Sequence, residues 1–159
     1  KAGPNASFKE IANGLPGVET RMPLLFSEGV GKGRIDLQRF VDLTATAAAK
    51  LYGLYPRKGT IAVGSDADMA IWDPAREVTL SADMLHDNTG YTPYEGIVLQ
   101  GWPVTVLSRG RVVVDGGELN AEQGSGEFLP CDRSGFAAPL NRIPKELDPK
   151  RNFGAQILF

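Results

Sequence analysis

One histidine, His86, and one cysteine, Cys131, stand in a chain of 159 residues, and they limit the chemistry the chain can do. A zinc-hydrolase centre takes several histidine or carboxylate ligands and leaves a position for water. A lone histidine in a polar stretch cannot build that centre, and nothing supports a Ser-His-Asp unit, so His86 reads as structural or solvent-exposed. Asp66, Asp68 and Asp73 have the look of an acidic metal cluster. They lack the glycine and terminal glutamate of a calcium loop, and turn capping already accounts for Asp66 and Asp68. Gly29, Gly31 and Gly33 do not form a phosphate loop, because no Lys-Ser/Thr pair follows in frame. Cys131 lies between Pro130 and Asp132 with no histidine nearby and reads as an inert thiol, a reactive one being the alternative. No catalytic or metal-ligating residue is assigned. What remains is backbone. Asn13-Gly14 precedes a helix and exposes amide and carbonyl groups as ligand-binding loops do, although the pair also serves in plain turns.

The elements that position these residues follow from pattern. Residues 1–18 are loop, with Gly3-Pro4-Asn5 and Asn13-Gly14-Leu15-Pro16-Gly17 breaking any regular run. Residues 19–29 form a short helix, with Glu19 near its positive end, Pro23 confined to its first turn and Gly29 as the stop. After a connector over 29–34 comes the strongest helix. Asp36 is its N-cap, Ile35 and Phe40 are spaced for a hydrophobic staple, and Gly53 closes it. Leu37, Phe40, Val41, Thr44, Ala47, Ala48 and Leu51 recur at helical spacing. Burying Leu37, Phe40, Val41 and Leu51 would contribute roughly 6–12 kcal/mol. The small residues at 45–49 imply close approach to another layer, and the chain has little helical material to supply one.

Residues 58–74 organise the rest. Two apolar runs, 60–63 and 69–72, flank the turn Gly64-Ser65-Asp66-Ala67-Asp68, which reads as strand, turn, strand. This hairpin joins a helical layer to β-structure. A strand follows at 76–80, a polar excursion at 81–94, and two strands at 97–103 and 104–108 with a turn between. Arg109-Gly110 turns into a strand at 111–114, which Asp115-Gly116-Gly117 ends. Short strands with turn signals argue a piece of a sheet or sandwich, where Trp72 and Trp102 pack. Beyond Asn120, Pro130, Pro139, Pro144 and Pro149 prevent a compact core, yet Phe128, Phe136, Leu140, Ile143, Phe153, Ile157, Leu158 and Phe159 remain. Such a tail lies against another surface.

Composition bounds the whole. With 42% hydrophobic and 23% charged residues the chain is globular, and a net charge of -2 without a basic cluster gives no sign of nucleic-acid or anionic-membrane binding. No apolar run reaches the roughly 18–20 residues of a bilayer span, and no signal sequence opens the chain. One cysteine excludes an internal disulfide framework and fits a reducing, cytoplasmic setting. The start at Lys1, in loop composition and without methionine, suggests a piece of a longer protein.

The motifs together resemble a family. Ile11-Ala12-Asn13-Gly14-Leu15-Pro16-Gly17-Val18-Glu19-Thr20-Arg21, Leu25-Phe26-Ser27-Glu28-Gly29-Val30, Gly33-Arg34-Ile35, Ala49-Lys50-Leu51-Tyr52-Gly53-Leu54-Tyr55-Pro56-Arg57-Lys58-Gly59-Thr60-Ile61 and Gly64-Ser65-Asp66-Ala67-Asp68 resemble the C-terminal third of D-hydantoinases and dihydropyrimidinases. So do Tyr94-Glu95-Gly96 and Val106-Leu107-Ser108-Arg109-Gly110. The resemblance covers residues 8–118 and weakens after Leu119. It implies an α/β fold: residues 1–57 as the C-terminal end of a (β/α)₈ TIM barrel, 58–118 as strands of a β-sandwich, and 119–159 as an extended tail contacting a second subunit.

The resemblance further implies a zinc-dependent cyclic amidase that opens dihydropyrimidines or 5-substituted hydantoins to N-carbamoyl amino acids. The family's two zinc ions are held by four histidines, a carboxylated lysine and an aspartate, all upstream of this stretch. Only Asn13 inherits a site role, touching the substrate ring through its backbone, with Gly14 permitting the approach. The implied partners are the small-molecule substrate, the missing N-terminal part of the same protein, and further copies in a homodimer or homotetramer. The rivals are a non-catalytic relative such as the collapsin-response mediators, another ring-opening amidase such as allantoinase or dihydroorotase, and a free-standing β-sandwich interaction module.

Overall fold

The helical part of the chain changes its winding twice. Helix α1 (Arg21–Leu25) runs on into a π-helical turn, Phe26–Gly31. Helix α2 (Leu37–Val41) passes through a second π-helical turn, Asp42–Thr46, into α3 (Ala47–Leu51). The computed structural model describes residues 3, 5–10, 14–134 and 150. Pro23 occupies the third position of α1, within the first turn, where its missing N–H costs nothing. Gly29 is not a stop: the winding continues to Gly31, and Gly29 lets the Ile35 side chain pack where a Cβ would stand only 3.0 Å from Ile35 Cδ1. The N-cap reading of Asp36 holds, since its carboxylate accepts the Arg39 N–H at 2.7 Å from an extended backbone. Within the second π-helical turn the Thr44 hydroxyl donates to the Phe40 carbonyl at 2.8 Å.

Four antiparallel strands follow in the order β1-β2-β3-β4: β1 (Met69–Thr79), β2 (Val98–Ser108), β3 (Arg111–Asp115) and β4 (Glu118–Leu119). Two expectations need correction here. Residues 60–63 are not a strand, so no hairpin flanks the 64–68 turn. Ile61 and Val63 are exposed and find no neighbouring strand in this sheet. The expected pairs at 69–72 with 76–80, and at 97–103 with 104–108, are each one continuous strand. A bulge absorbs the breakers: the register passes from Asp73↔Trp102 to Glu77↔Gln100, so residues 74–76 face Gly101 alone. The Asp73 carboxylate accepts the Ala75 N–H at 2.9 Å and stabilises the bulge from within. The Arg109-Gly110 turn is as expected, with φ of 49° and 78°, the pair of positive angles that a tight hairpin turn requires.

The core forms where the first helical segment crosses β2. Gly101 has φ 93°, and a Cβ there would stand 2.3 Å from both Cδ1 and Cε1 of Phe26. One edge of the Phe26 ring therefore packs on the backbone of the bulge, and the ring stacks on Trp72 at 4.8 Å and 19°. Phe40 meets both rings edge-on, at 5.3 Å from Phe26 and 5.6 Å from Trp72. Such aromatic pairs add about 0.5–1.5 kcal/mol each beyond their buried area. Leu80 and Leu99 are fully buried, and the buried Ser27 hydroxyl accepts the Gln100 N–H at 3.1 Å, tying helix to strand. Of the four residues counted on for the second helix, only Phe40 is buried; Leu37, Val41 and Leu51 are exposed. Leu37 and Val41 line an apolar groove of about 740 Å³ between this helix, Ile61 and the Met69 end of β1.

The small residues at 45–49 do admit a close neighbour, and it is loop rather than helix. The Thr46 hydroxyl donates to the Gly59 carbonyl at 2.7 Å, and a Cβ on Gly59 would strike Ala49. Farther on, the Asp132 N–H donates to the Gly53 carbonyl at 2.9 Å, so the start of the tail lies on this chain's own helix end. Phe128 is exposed. Phe136, Leu140, Ile143, Phe153, Ile157, Leu158 and Phe159, on which the tail reading rests, lie outside the described residues.

Candidate functional site

The candidate substrate backbone is Asn13-Gly14. Asn13 lies outside the described residues, whereas Gly14 is exposed and has open space where a Cβ would project. An open, unhindered backbone is the property that contact with a ring through amide or carbonyl groups demands. A hydrogen-bonded turn follows Gly14 a few residues later. Pro16 limits its own φ and the freedom of Leu15. The Arg21 N–H donates to the Gly17 carbonyl at 3.0 Å, and the Thr20 hydroxyl, on a residue 1% exposed, donates to the same oxygen at 3.4 Å. Glu19 stands directly before Thr20, the N-cap of α1, and also has a partner elsewhere. Its carboxylate accepts the His86 N–H at 2.8 Å and lies 2.9 Å from His86 Nδ1. His86 is thus a structural residue with a defined partner on the loop that leads from Gly14 into α1.

The 64–68 turn is the second polar cluster. Asp66 and Asp68 were expected to bond amides of their own turn, and their carboxylates bond more distant groups. Asp66 accepts from Arg57 Nε at 3.1 Å and pairs with Lys58 Nζ at 2.9 Å, while Asp68 pairs with Lys58 and accepts the Arg109 N–H at 2.8 Å. Arg109 reaches on to Glu127 at 2.7 Å and to the Ser125 carbonyl. The network fastens the C-terminal side of the second helix to the β2–β3 turn. Partial burial works against the charge of Lys58, but its hydrogen bonds and charge interactions with Asp66 and Asp68 outweigh that and raise its pKa. The hydrogen bond from Lys58, with help from Arg57, outweighs desolvation at Asp66 and holds that carboxyl below its usual range. These are satisfied structural charges, not a proton-transfer pair.

Neither cluster fits a metal centre. Among the described residues there is no group of three or more His, Cys, Asp or Glu side chains that could hold a metal ion. The zinc implied by the resemblance therefore finds no ligand set among the described residues. Cys131 is a free, exposed thiol. Among the described residues no helix is long and apolar enough to cross a membrane. What the arrangement offers to chemistry is an open backbone at Gly14, followed by a hydrogen-bonded turn at 17–21. Reasoning from the sequence missed the Glu19–His86 pair, since its members are 67 residues apart and nothing local marks them as partners.

Comparison with known proteins agrees with this architecture. Residues 6–113 match the amidohydrolase family. Dihydropyrimidinase of Rattus norvegicus is 45% identical over 141 residues, which is 89% of this chain and 27% of the relative. D-hydantoinase of Geobacillus stearothermophilus is 49% identical over 122 residues, 77% of this chain and 26% of the relative. The solved structure of D-hydantoinase (dihydropyrimidinase) from Thermus sp. superposes with a TM-score of 0.73 at 48% identity, covering 77% of this chain and 27% of that one. The chain spans about a quarter of the length of these relatives. The superfamily is built on a TIM barrel, and the present chain is a partial α/β piece carrying an antiparallel sheet. With identity this high over most of its length, the chain belongs to the D-hydantoinase and dihydropyrimidinase group of the amidohydrolase family.

Proposed function

We propose that the intact protein is a cyclic amidase that opens dihydropyrimidines or 5-substituted hydantoins to N-carbamoyl amino acids, and that this chain is its C-terminal portion. The observation that carries the reading is the 45–49% identity to proteins named dihydropyrimidinase and D-hydantoinase across 122–141 residues. In the reaction, water adds to the ring carbonyl beside nitrogen, the carbon–nitrogen bond breaks, and the nitrogen takes up a proton as the carboxylate forms. The part of this chain in that reaction is to bind and orient. Asn13 contacts the ring through its backbone, and Gly14 lets the ring approach.

In this reading residues 1–57 end the catalytic barrel, 58–118 are strands of the sandwich, and 119–159 form a tail at a subunit contact in a dimer or tetramer. The open groove beside Leu37 and Val41 then receives the preceding part of the same protein. The metal is zinc, with its ligands upstream of Lys1, and the exposed Cys131 thiol suits the cytoplasm. The test is to express the full-length protein, supply dihydrouracil or 5-phenylhydantoin, and follow formation of the N-carbamoyl product. Turnover of either ring is expected, and a folded, zinc-loaded protein that opens neither would contradict the proposal.

A further inference from the structure

Beyond β4 the chain turns back across the molecule. Residues 121–134 form no helix or strand and are mostly exposed, yet they are fastened at two places. The first is Arg109 in the β2–β3 turn, whose guanidinium donates to Glu127 Oε2 at 2.7 Å and to the Ser125 carbonyl. The second is Gly53, whose carbonyl accepts the Asp132 N–H at 2.9 Å. Only five residues of chain separate Glu127 from Asp132.

Both anchors are set up by the rest of the fold. The Arg109 backbone N–H is held by Asp68 at 2.8 Å, and Asp68 pairs with Lys58, so the first anchor leads back to the segment after Gly53. Gly53 stands just past α3 with φ 67°. The N–H groups of Gly53 and Leu54 close the helix on the Lys50 and Ala49 carbonyls at 3.3 and 2.8 Å, which leaves the Gly53 carbonyl free to face outward to Asp132. A helix end of this kind asks only for a positive φ, which asparagine also tolerates. The approach of Asp132 asks for more: any Cβ on Gly53 would overlap the Asp132 carbonyl.

We propose that residues 125–132 are a strap that closes as one unit over the end of α3, so that releasing either anchor opens both. The contacts run in a ring, from Gly53 to Asp132, along the chain to Glu127, then through Arg109, Asp68 and Lys58 back to the helix end. An exposed ion pair or a single hydrogen bond is a weak contact alone. The short link between the two makes the second easy to form once the first is in place. This goes beyond the cyclic-amidase reading and does not depend on it.

The test is amide hydrogen exchange on the full-length protein, followed separately in residues 121–128 and 129–134. Arg109→Asn tolerates the φ of 49° and keeps the backbone N–H, but loses the guanidinium. Exchange over 129–134 should rise about threefold or more in it, although Arg109 touches only residues 125 and 127 of the strap. Gly53→Asn keeps the helix end and displaces Asp132, and it should raise exchange over 121–128 by a similar factor. The double variant should exchange no faster than the faster single one, because one opening serves both. Glu127→Ala, which leaves the β2–β3 turn intact, should act in the same direction as Arg109→Asn with a smaller rise. Increases confined to 121–128 in Arg109→Asn and Glu127→Ala, and to 129–134 in Gly53→Asn, would overturn the strap and leave two independent contacts. Exchange over 121–134 as fast in the wild type as in the variants would overturn it as well.

Discussion

Two apolar surfaces of the same chain meet different fates. Phe26, Phe40 and Trp72 close on one another next to Gly101, and Leu80 and Leu99 are fully buried. Around the same helix, Leu37, Val41 and Leu51 remain exposed, as does Ile61 across the groove. Both groups are large and apolar, and Phe40 and Val41 are adjacent in sequence. What separates them is supply: Phe26 and the strands close the first surface, whereas no helix or strand among the described residues covers Leu37 and Val41. A chain that spans about a quarter of its relatives' length can look like this, with one apolar surface closed from within and another left open.

The largest effect belongs to the closed surface. Truncating Phe26 or Trp72 to alanine should cost about 3–5 kcal/mol in chemical denaturation, whereas Val41→Ala on the open face should stay within about 0.5 kcal/mol in the isolated chain. Equal costs would break the contrast. Measuring Val41→Ala again in the full-length protein sharpens it, because there the cost should rise to about 1 kcal/mol or more as the groove fills. Next comes Gly101→Ala, where a methyl group meets the Phe26 ring at a φ that L-residues avoid; about 2–4 kcal/mol is expected from overpacking and backbone strain together.

Asp36→Ala removes the N-cap bond to Arg39 and should cost about 1 kcal/mol, with Asp36→Asn keeping most of it. The smallest effect is one of pH at the Lys58–Asp66 joint. Asp66 has its carboxyl held below the ordinary value of 3.8, so its contribution is complete above that pH and is lost as pH falls through the lowered folded value. Lys58 is raised above 10.5, so its contribution is complete below that pH and is lost as pH climbs past it. Melting temperature should therefore be insensitive to this pair between about pH 5 and 9. Lys58→Met should reduce the acid dependence of melting below about pH 4, and an unchanged acid limb would contradict the role given to the joint.

How much of this could be read in the sequence depended on whether the signal was local. Asp36, Pro23 and Arg109-Gly110 were legible because caps, first turns and tight turns are decided by a few neighbouring residues. The strands were harder. Pro74 and Gly101 look like strand ends, yet they sit opposite each other in one bulge, and only the pairing of β1 with β2 reveals that. Residues 60–63 have a strand's composition but no partner strand in this sheet, since β-propensity describes a packing surface more than a backbone preference. Of the candidate site, the family motif points to Asn13 and Gly14; Gly14 has open surroundings, and Asn13 lies outside the described residues. Glu19 and His86 were not legible, because the contact joins two loops that only the fold brings together.

The central claim is that this chain positions substrate for a reaction whose reacting groups lie elsewhere in the protein. The most direct measurement supplies residues 1–159 alone with zinc and dihydrouracil, beside the full-length protein under the same conditions. No ring opening above background is expected from the chain alone, against steady turnover by the full-length protein. Ring opening by residues 1–159 alone would contradict the account.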